Sequence, residues 1–135
     1  NDIYGNGTVN LSIVTYGYET EDENYNPHPK SIQIHGNRFG DGGFDPDVGT
    51  GELAAILFEL SGGDMPDIFW DGILPTSQMI FGQPEEERLL ISNNGDATFL
   101  TLNPIKYILP FFDPVERDIK AYEGKVRPLP EVTLN

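Results

Sequence analysis

Four carboxylates are concentrated in one glycine-rich stretch of the chain. Asp41, Asp45, Asp47 and Glu52 all lie within the segment DGGFDPDVGTGE. Calcium takes roughly six to eight oxygen ligands on a flexible loop, and acids interleaved with glycines can wrap one ion in this way. Gly43 and Pro46 stand where an EF-hand needs a ligand and a glycine, so the stretch predicts a generic calcium loop. The alternative is a solvated turn whose aspartates bond to their own backbone.

Few other residues offer chemistry. The chain has no cysteine, which excludes disulfides, thiol nucleophiles and thiolate metal sites. His28 and His35 are its only histidines, and it contains no metalloprotease, nucleophile-elbow or phosphate-loop motif. These features predict a protein that is not an enzyme. A hydrolase whose acids cannot be singled out among the 22 Asp and Glu residues remains an alternative.

Two further groups of side chains are candidates for binding or modification. Phe69 and Trp70 could form an aromatic platform for a sugar or a peptide, although a single Trp in a small domain often anchors the core. Asn6 and Asn10 each begin an Asn-x-Ser/Thr triplet, which predicts N-glycosylation sites only if the chain is exported.

The composition sets the class of protein. A chain of 135 residues with 38% hydrophobic residues can form one domain over positions 1–135, while 15 Gly and 11 Pro argue against a helical bundle. A net charge of −14 repels phosphate backbones and anionic membranes, which predicts no nucleic-acid partner. No apolar run reaches the roughly 20 residues of a membrane span, so no membrane insertion is expected.

The start of the chain suggests where the protein acts. It begins at Asn1 rather than at Met, which fits removal of a signal peptide and equally fits a trimmed chain. Together with the acidic, turn-rich composition, this predicts an extracellular or cell-surface location.

Short strands dominate the local patterns. Residues 8–18 alternate, with Val9, Leu11 and Ile13 on one face, and Asn94-Gly95 between residues 88–92 and 97–102 predicts a hairpin. Residues 52–60 fit a helical face and also a buried strand, and Thr50 as a possible N-cap together with the following Gly62-Gly63 favours a short helix. Several such strands separated by turns predict an all-β fold, an antiparallel β-sandwich of immunoglobulin-like or jelly-roll-like type, with one helix.

One segment resembles a known group of proteins. Phe81-Gly82-Gln83-Pro84, followed by RLLISNNGDAT at residues 88–98, is similar to a strand, turn and strand of immunoglobulin-like sandwiches in exported fibre proteins. These include the TasA and camelysin type of biofilm fibre protein and the archaeal bundling pilins. The resemblance implies a jelly-roll-like sandwich and assembly by strand donation from the amino end, which residues 8–16 could supply.

The amino-terminal segment therefore carries the functional prediction. Residues 1–18, with Val9, Leu11 and Ile13 facing one way, could pair with the open edge of a neighbouring subunit or remain in their own sheet. Donation by every copy builds a homopolymer. The sequence thus predicts a structural subunit of an extracellular filament or surface layer that calcium could stabilise. The alternative is a binding module of a surface protein for a carbohydrate or protein partner.

Overall fold

A computed structural model describes residues 1–17, 19–107 and 109–134, without the side chains of Ile105 and Tyr107. These residues contain short strands and two α-helices. The strands are β1 Asp2–Tyr4, β2 Leu11–Ile13, β3 Gln33–His35, β4 Arg38–Gly40, β5 Ile68–Trp70, β6 Leu90–Ser92, β7 Phe99–Leu102 and β8 Val115–Glu116. The helices are α1 Glu52–Ser61 and α2 Thr76–Phe81. Short 3₁₀ helices lie at Glu85–Glu87, Pro104–Tyr107 and Ile119–Tyr122.

The strands stack in the order in which the chain visits them. β1 pairs with β4, β2 with β5, β3 with β6, and β5 with β7, all in parallel. The chain therefore passes the same three positions repeatedly, which is the winding of a parallel β-helix. β1 to β3 form the first coil, β4 to β6 form the second, and β7 begins a third. β8 then runs antiparallel to β7.

The predicted strand-rich fold is confirmed, but its predicted antiparallel arrangement is wrong. Among the described strands, only the β7–β8 pair is antiparallel. The predicted hairpin is also wrong, because β6 pairs with β3 and β7 pairs with β5. The Asn-Gly turn exists, with Gly95 at a φ of 60°, but it forms a corner of the coil. β6 before the turn and β7 after it belong to different sheets.

The apolar side chains fill both faces of the β2–β5–β7 sheet. Alternation along β5 sends Ile68 and Trp70 into the interior of the coil and Phe69 to the outer face. The interior core contains Ile13, Ile34, Ile68, Trp70, Leu89, Ile91 and Phe99. On the outer face, Leu57 of α1 packs with Met65, Phe69 and Leu100. The single sheet thus separates two apolar clusters.

The predicted helix is confirmed as α1. Leu57 is its buried anchor, and the helix ends where Gly62 adopts a φ of 67°, a conformation open to glycine at little cost. Its N-cap is Gly51 rather than Thr50. The backbone N–H and the hydroxyl of Thr50 both donate to the side chain of Asp47 instead. No helix in the described ranges is long and apolar enough to cross a bilayer.

Asparagines hold one corner of the coil together. The Asn1 side chain donates to Asn37 Oδ1 at 3.0 Å, and the Asn37 side chain donates to Asn94 Oδ1 at 3.1 Å. Asn94 is buried and donates to the carbonyl of Ile34 at 2.8 Å. These three residues, which we call the asparagine ladder, precede β1, β4 and the third coil. The buried rung at Asn94 satisfies polar groups that a packed corner would otherwise leave unpaired.

Candidate functional site

The four carboxylates of the predicted calcium loop are all exposed. Their stretch runs beside residues 5–8, where the backbone N–H groups of Gly43 and Asp45 donate to the carbonyls of Asn6 and Gly7. Asp47 accepts hydrogen bonds from Thr50, and Glu52 lies in the first turn of α1. Within residues 1–17, 19–107 and 109–134, no three Asp, Glu or His side chains are grouped closely enough to hold a metal ion. Calcium binding stays a prediction.

The two predicted glycosylation asparagines occupy different environments. Asn6 is exposed and donates to Asn10 Oδ1 at 2.8 Å. Asn10 is part-buried, and its Nδ2 donates to the carbonyl of Gly40 and to Asp67 Oδ1. A Cβ atom at Gly42 would lie 2.5 Å from that Nδ2, so the amide has little free space around it. A glycan on Asn10 would have to break both contacts.

Asn10 is also the first rung of a second polar ladder. Asp67 Oδ1 accepts from Asn10, and Asp67 Oδ2 accepts from the Thr98 backbone N–H at 2.9 Å. These three residues immediately precede β2, β5 and β7, so they fix the start of each strand against the next. Their side chains serve the fold rather than a ligand.

The predicted donor strand lies in its own sheet. Val9, Leu11 and Ile13 fall in or beside β2, which pairs in parallel with β5, and Ile13 is buried in the core. Tyr18, the last residue of the predicted donor segment, lies outside the described residues. β2 is nevertheless an edge strand, since it has β5 on one side and no described strand on the other.

The whole first coil shares this edge, which we call the open end. Leu11 donates to Asp67, and Ile13 accepts from Asp71, so the alternation of a parallel ladder turns the Ser12 N–H and C=O away from β5. By the same alternation, Gln33 and His35 of β3 point their backbone groups away from β6. β1 likewise has β4 as its one described neighbour. Three strand edges therefore face outward together.

The opposite end is covered at two of its three strand positions, and β4 has no described strand on its outer side. β8 lies along β7, and the 3₁₀ helix Ile119–Tyr122 packs on β6. The following segment then turns back toward the open end, because Gly124 lies against Leu90 while Arg127 bonds through its backbone to both ends of the Gln33 side-chain amide. Gln33 and Leu90 are partners in the β3–β6 register. The chain thus passes from the second coil to the first.

A cleft of about 390 Å³ lies beyond the carboxyl ends of β5 and β7. Trp70 and Tyr122 form part of its wall, with ring centroids 5.9 Å apart in an edge-to-face arrangement. Its polar lining comes from distant parts of the chain, namely Gln78, Gln83, Arg88, Thr101, Asn103 and Glu116. Of the predicted platform, Trp70 lines this cleft but is only 7% exposed and packs in the interior core, and Phe69 is fully buried on the other face of the sheet.

Charges in this cleft act on one tyrosine. Burial and the nearby Glu116 carboxylate raise the pKa of Tyr122, while Arg88 acts in the opposite direction. Glu116 is oriented by the backbone N–H of Asp118, which donates to its Oε1 at 2.6 Å. Arg88 forms no ion pair with any described residue, so its guanidinium N–H groups are available to a ligand.

Of the residues that line this cleft, the sequence pointed only to Trp70, since Arg88, Asn103 and Glu116 belong to no motif and meet only through the winding. Comparisons with family models, curated proteins and solved structures found no match to the chain. The functional interpretation therefore rests on the geometry of the open end and of the cleft.

Proposed function

We propose that this chain is a non-enzymatic structural module of an extracellular assembly, and that it joins a second copy through the open end of its coil. The observation that carries the proposal is that all three strands of the first coil, β1, β2 and β3, have an outer edge without a described strand, whereas at the other end β8 lies along β7 and a 3₁₀ helix packs on β6. Unpaired strand edges are templates for further pairing. Three such edges at one end of a molecule offer backbone N–H and C=O groups from three segments of the chain.

The asparagine ladder supports pairing at this end. Asn37 Oδ1 and Asn94 Oδ1 each accept from the coil before them, whereas Asn1 Oδ1 accepts from no described residue. The outermost rung therefore retains a free acceptor beside the edge of β1. A docking chain with a side-chain amide or hydroxyl at this position would continue the ladder.

The unlike ends favour a closed pair over a filament. A filament needs a second, complementary surface at the far end, where β8 lies along β7 and the 3₁₀ helix Ile119–Tyr122 packs on β6. The strand edges left there are those of β4 and of the two-residue β8. Two open ends related by a two-fold axis present antiparallel edges to each other, which can hydrogen bond. The filament predicted from the sequence is the competing outcome.

The carboxyl-terminal tail adds apolar surface to this interface. Beyond Arg127, which lies beside the first coil, Leu129, Val132 and Leu134 are 82%, 85% and 95% exposed. Seven extended residues span roughly 23 Å. In a two-fold pair, each tail would reach the partner and bury these side chains.

The decisive experiment targets the outward backbone of β2. Ser12→Pro removes the N–H that faces away from β5 and leaves the bonds of Leu11 and Ile13 to β5 in place. Ser12→Val, which retains the N–H, is the matched control. Light scattering over a concentration series should show a dimer for the natural chain and for Ser12→Val, and a folded monomer for Ser12→Pro.

Two results would overturn the proposal. A natural chain that stays monomeric at every concentration would rule out self-association through the open end. Fibres in negative-stain electron microscopy would replace the closed pair with the filament.

A further inference from the structure

The cleft at the covered end is a second feature that the proposed assembly does not use. It lies beyond the carboxyl ends of β5 and β7, while the proposed interface is the open end formed by the first coil. Its volume of about 390 Å³ falls in the range of sites for small ligands, roughly 300 to 1,000 Å³. We propose that this cleft binds a neutral oligosaccharide.

Tyr122 supplies the partly exposed aromatic surface of this cleft, whereas Trp70 is only 7% exposed and belongs to the core. Tyr122 is held in place by Phe99, with ring centroids 4.9 Å apart, and by the edge-to-face contact with Trp70. The Trp70 indole N–H and the Tyr122 hydroxyl donate to no described residue. The Tyr122 ring thus combines an accessible apolar surface with a free donor, a combination suited to a carbohydrate, and Trp70 adds its indole N–H.

Uncommitted polar groups surround these rings. The side-chain amides of Gln83 and Asn103 and the guanidinium of Arg88 form no hydrogen bond with any described side chain or backbone group. Glu116 is held by Asp118 and contributes acceptors on the same cleft. Amides and charged groups of both kinds bind sugar hydroxyls, which act both as donors and as acceptors.

The charge of the protein selects a neutral ligand. The chain carries a net charge of −14, which opposes the approach of an acidic polysaccharide. Within the cleft, Arg88 and Glu116 balance each other in charge, so the lining provides no excess of cations for a carboxylate or a sulfate. A ligand with many hydroxyls and no charge fits both conditions.

Trp70 is the only tryptophan of the chain and therefore reports directly on this cleft. Its fluorescence is to be followed during titrations with cellotetraose, maltotetraose, xylotetraose and laminaritetraose. We expect a saturable change with at least one of these sugars. A tetragalacturonate of matched length should give no saturable change.

Variants locate the binding. Arg88→Met and Asn103→Ala should each weaken the affinity about tenfold while leaving the melting temperature close to that of the natural chain. Arg38→Met is the matched control, because Arg38 is an exposed arginine of β4 whose partner is Asp2. It should bind as the natural chain does.

Three outcomes would overturn the proposal. Fluorescence that responds to none of the neutral sugars would exclude the site, and tight binding of tetragalacturonate would exclude a neutral ligand. Binding that neither Arg88→Met nor Asn103→Ala weakens would place the sugar elsewhere. None of these results depends on the oligomeric state.

Discussion

Side-chain amides, rather than backbone alone, set how one coil lies on the next. Asn94 accepts from both the backbone N–H and the side chain of Asn37, and it donates to Ile34 from a buried position. The residue before it, Asn93, has a φ of 55°, and the equivalent Gly36 has a φ of 66°. Asparagine and glycine tolerate this left-handed conformation better than other residues, which explains why this corner reads His-Gly-Asn in one coil and Ser-Asn-Asn in the next.

Removing the buried rung should be costly. Asn94→Ala leaves the Asn37 N–H and the Ile34 carbonyl without their partner, and an unpaired buried group costs about 1–3 kcal/mol. We expect urea denaturation to show a loss of at least about 2 kcal/mol of unfolding free energy. Asn1→Ala, at the exposed outer rung of the same ladder, is the control and should change stability by less than about 1 kcal/mol. Equal losses for the two variants would contradict this role of the buried rung.

Gly72 lies where two backbone segments approach each other closely. It has a φ of 69°, and a Cβ atom there would lie 2.2 Å from the carbonyl oxygen of Leu102. Gly72→Ala should therefore lower the free energy of unfolding by more than the roughly 1–2 kcal/mol that the left-handed backbone conformation alone costs an alanine. Gly36 has a similar φ and open space where a Cβ would lie, so Gly36→Ala measures the cost of the backbone conformation without a clash. The melting temperature of Gly72→Ala should be well below that of Gly36→Ala.

At the scale of elements, local patterns predicted what the chain forms but not what each element pairs with. The helical spacing of residues 52–60 sufficed for α1, and the alternation of Leu11 and Ile13 sufficed for β2. Alternation is the same in parallel and antiparallel strands, however, so it could not reveal the partner. Asn94-Gly95 is equally compatible with a hairpin and with a corner of a coil.

The repeat itself was hidden by the unequal lengths of the connections. Equivalent ladder residues are 36 positions apart between Asn1 and Asn37 and 57 apart between Asn37 and Asn94. In the second ladder the separations are 57 and 31. No fixed period exists for a sequence comparison to detect. The cleft was missed for the same reason, because its lining residues meet only after the chain has wound.

The 3₁₀ helix Ile119–Tyr122 should loosen at alkaline pH. Burial and Glu116 raise the pKa of Tyr122, so the neutral phenol stabilises the folded state fully below the unfolded pKa of about 10. That stability is lost as the pH rises through the folded pKa. Tyr122→Phe removes this component, so its unfolding free energy should fall less between pH 9 and about 12.

Two substitutions should move this transition in opposite directions. Glu116→Gln should lower the pKa of Tyr122, and Arg88→Met should raise it, as followed by tyrosinate absorbance against a Tyr122→Phe baseline. Shifts in the same direction for both variants would show that the two charges do not act on this phenol.

At the scale of the whole molecule, the two ends of the coil differ in kind. One end presents the edges of three strands, while at the other β8 lies along β7 and a 3₁₀ helix packs on β6. The tail starts at the covered end and passes beside the open one. The open end is therefore the surface at which we expect pairing.

The tail should contribute to pairing without contributing to the fold. Deletion of residues 128–135 removes the exposed Leu129, Val132 and Leu134 and leaves the Arg127 contacts with Gln33 intact. We expect the dimer dissociation constant to rise about tenfold or more, measured by analytical ultracentrifugation, with an unchanged melting temperature for the monomer. Replacement of the three apolar residues by serine keeps the length and should have the same effect. An unaffected dimer would show that the tail lies outside the interface.

The positions of the two ladders also indicate which loops of the coil should tolerate insertions. Between β2 and β3, and between β4 and β5, the chain makes long excursions and then returns to a three-residue strand in register. Foreign peptides grafted at residues 19–24 or 48–50 should therefore project from the coil without disturbing it, because no residue of either ladder lies in these two segments. The protein is in this sense a ready scaffold for displaying loops.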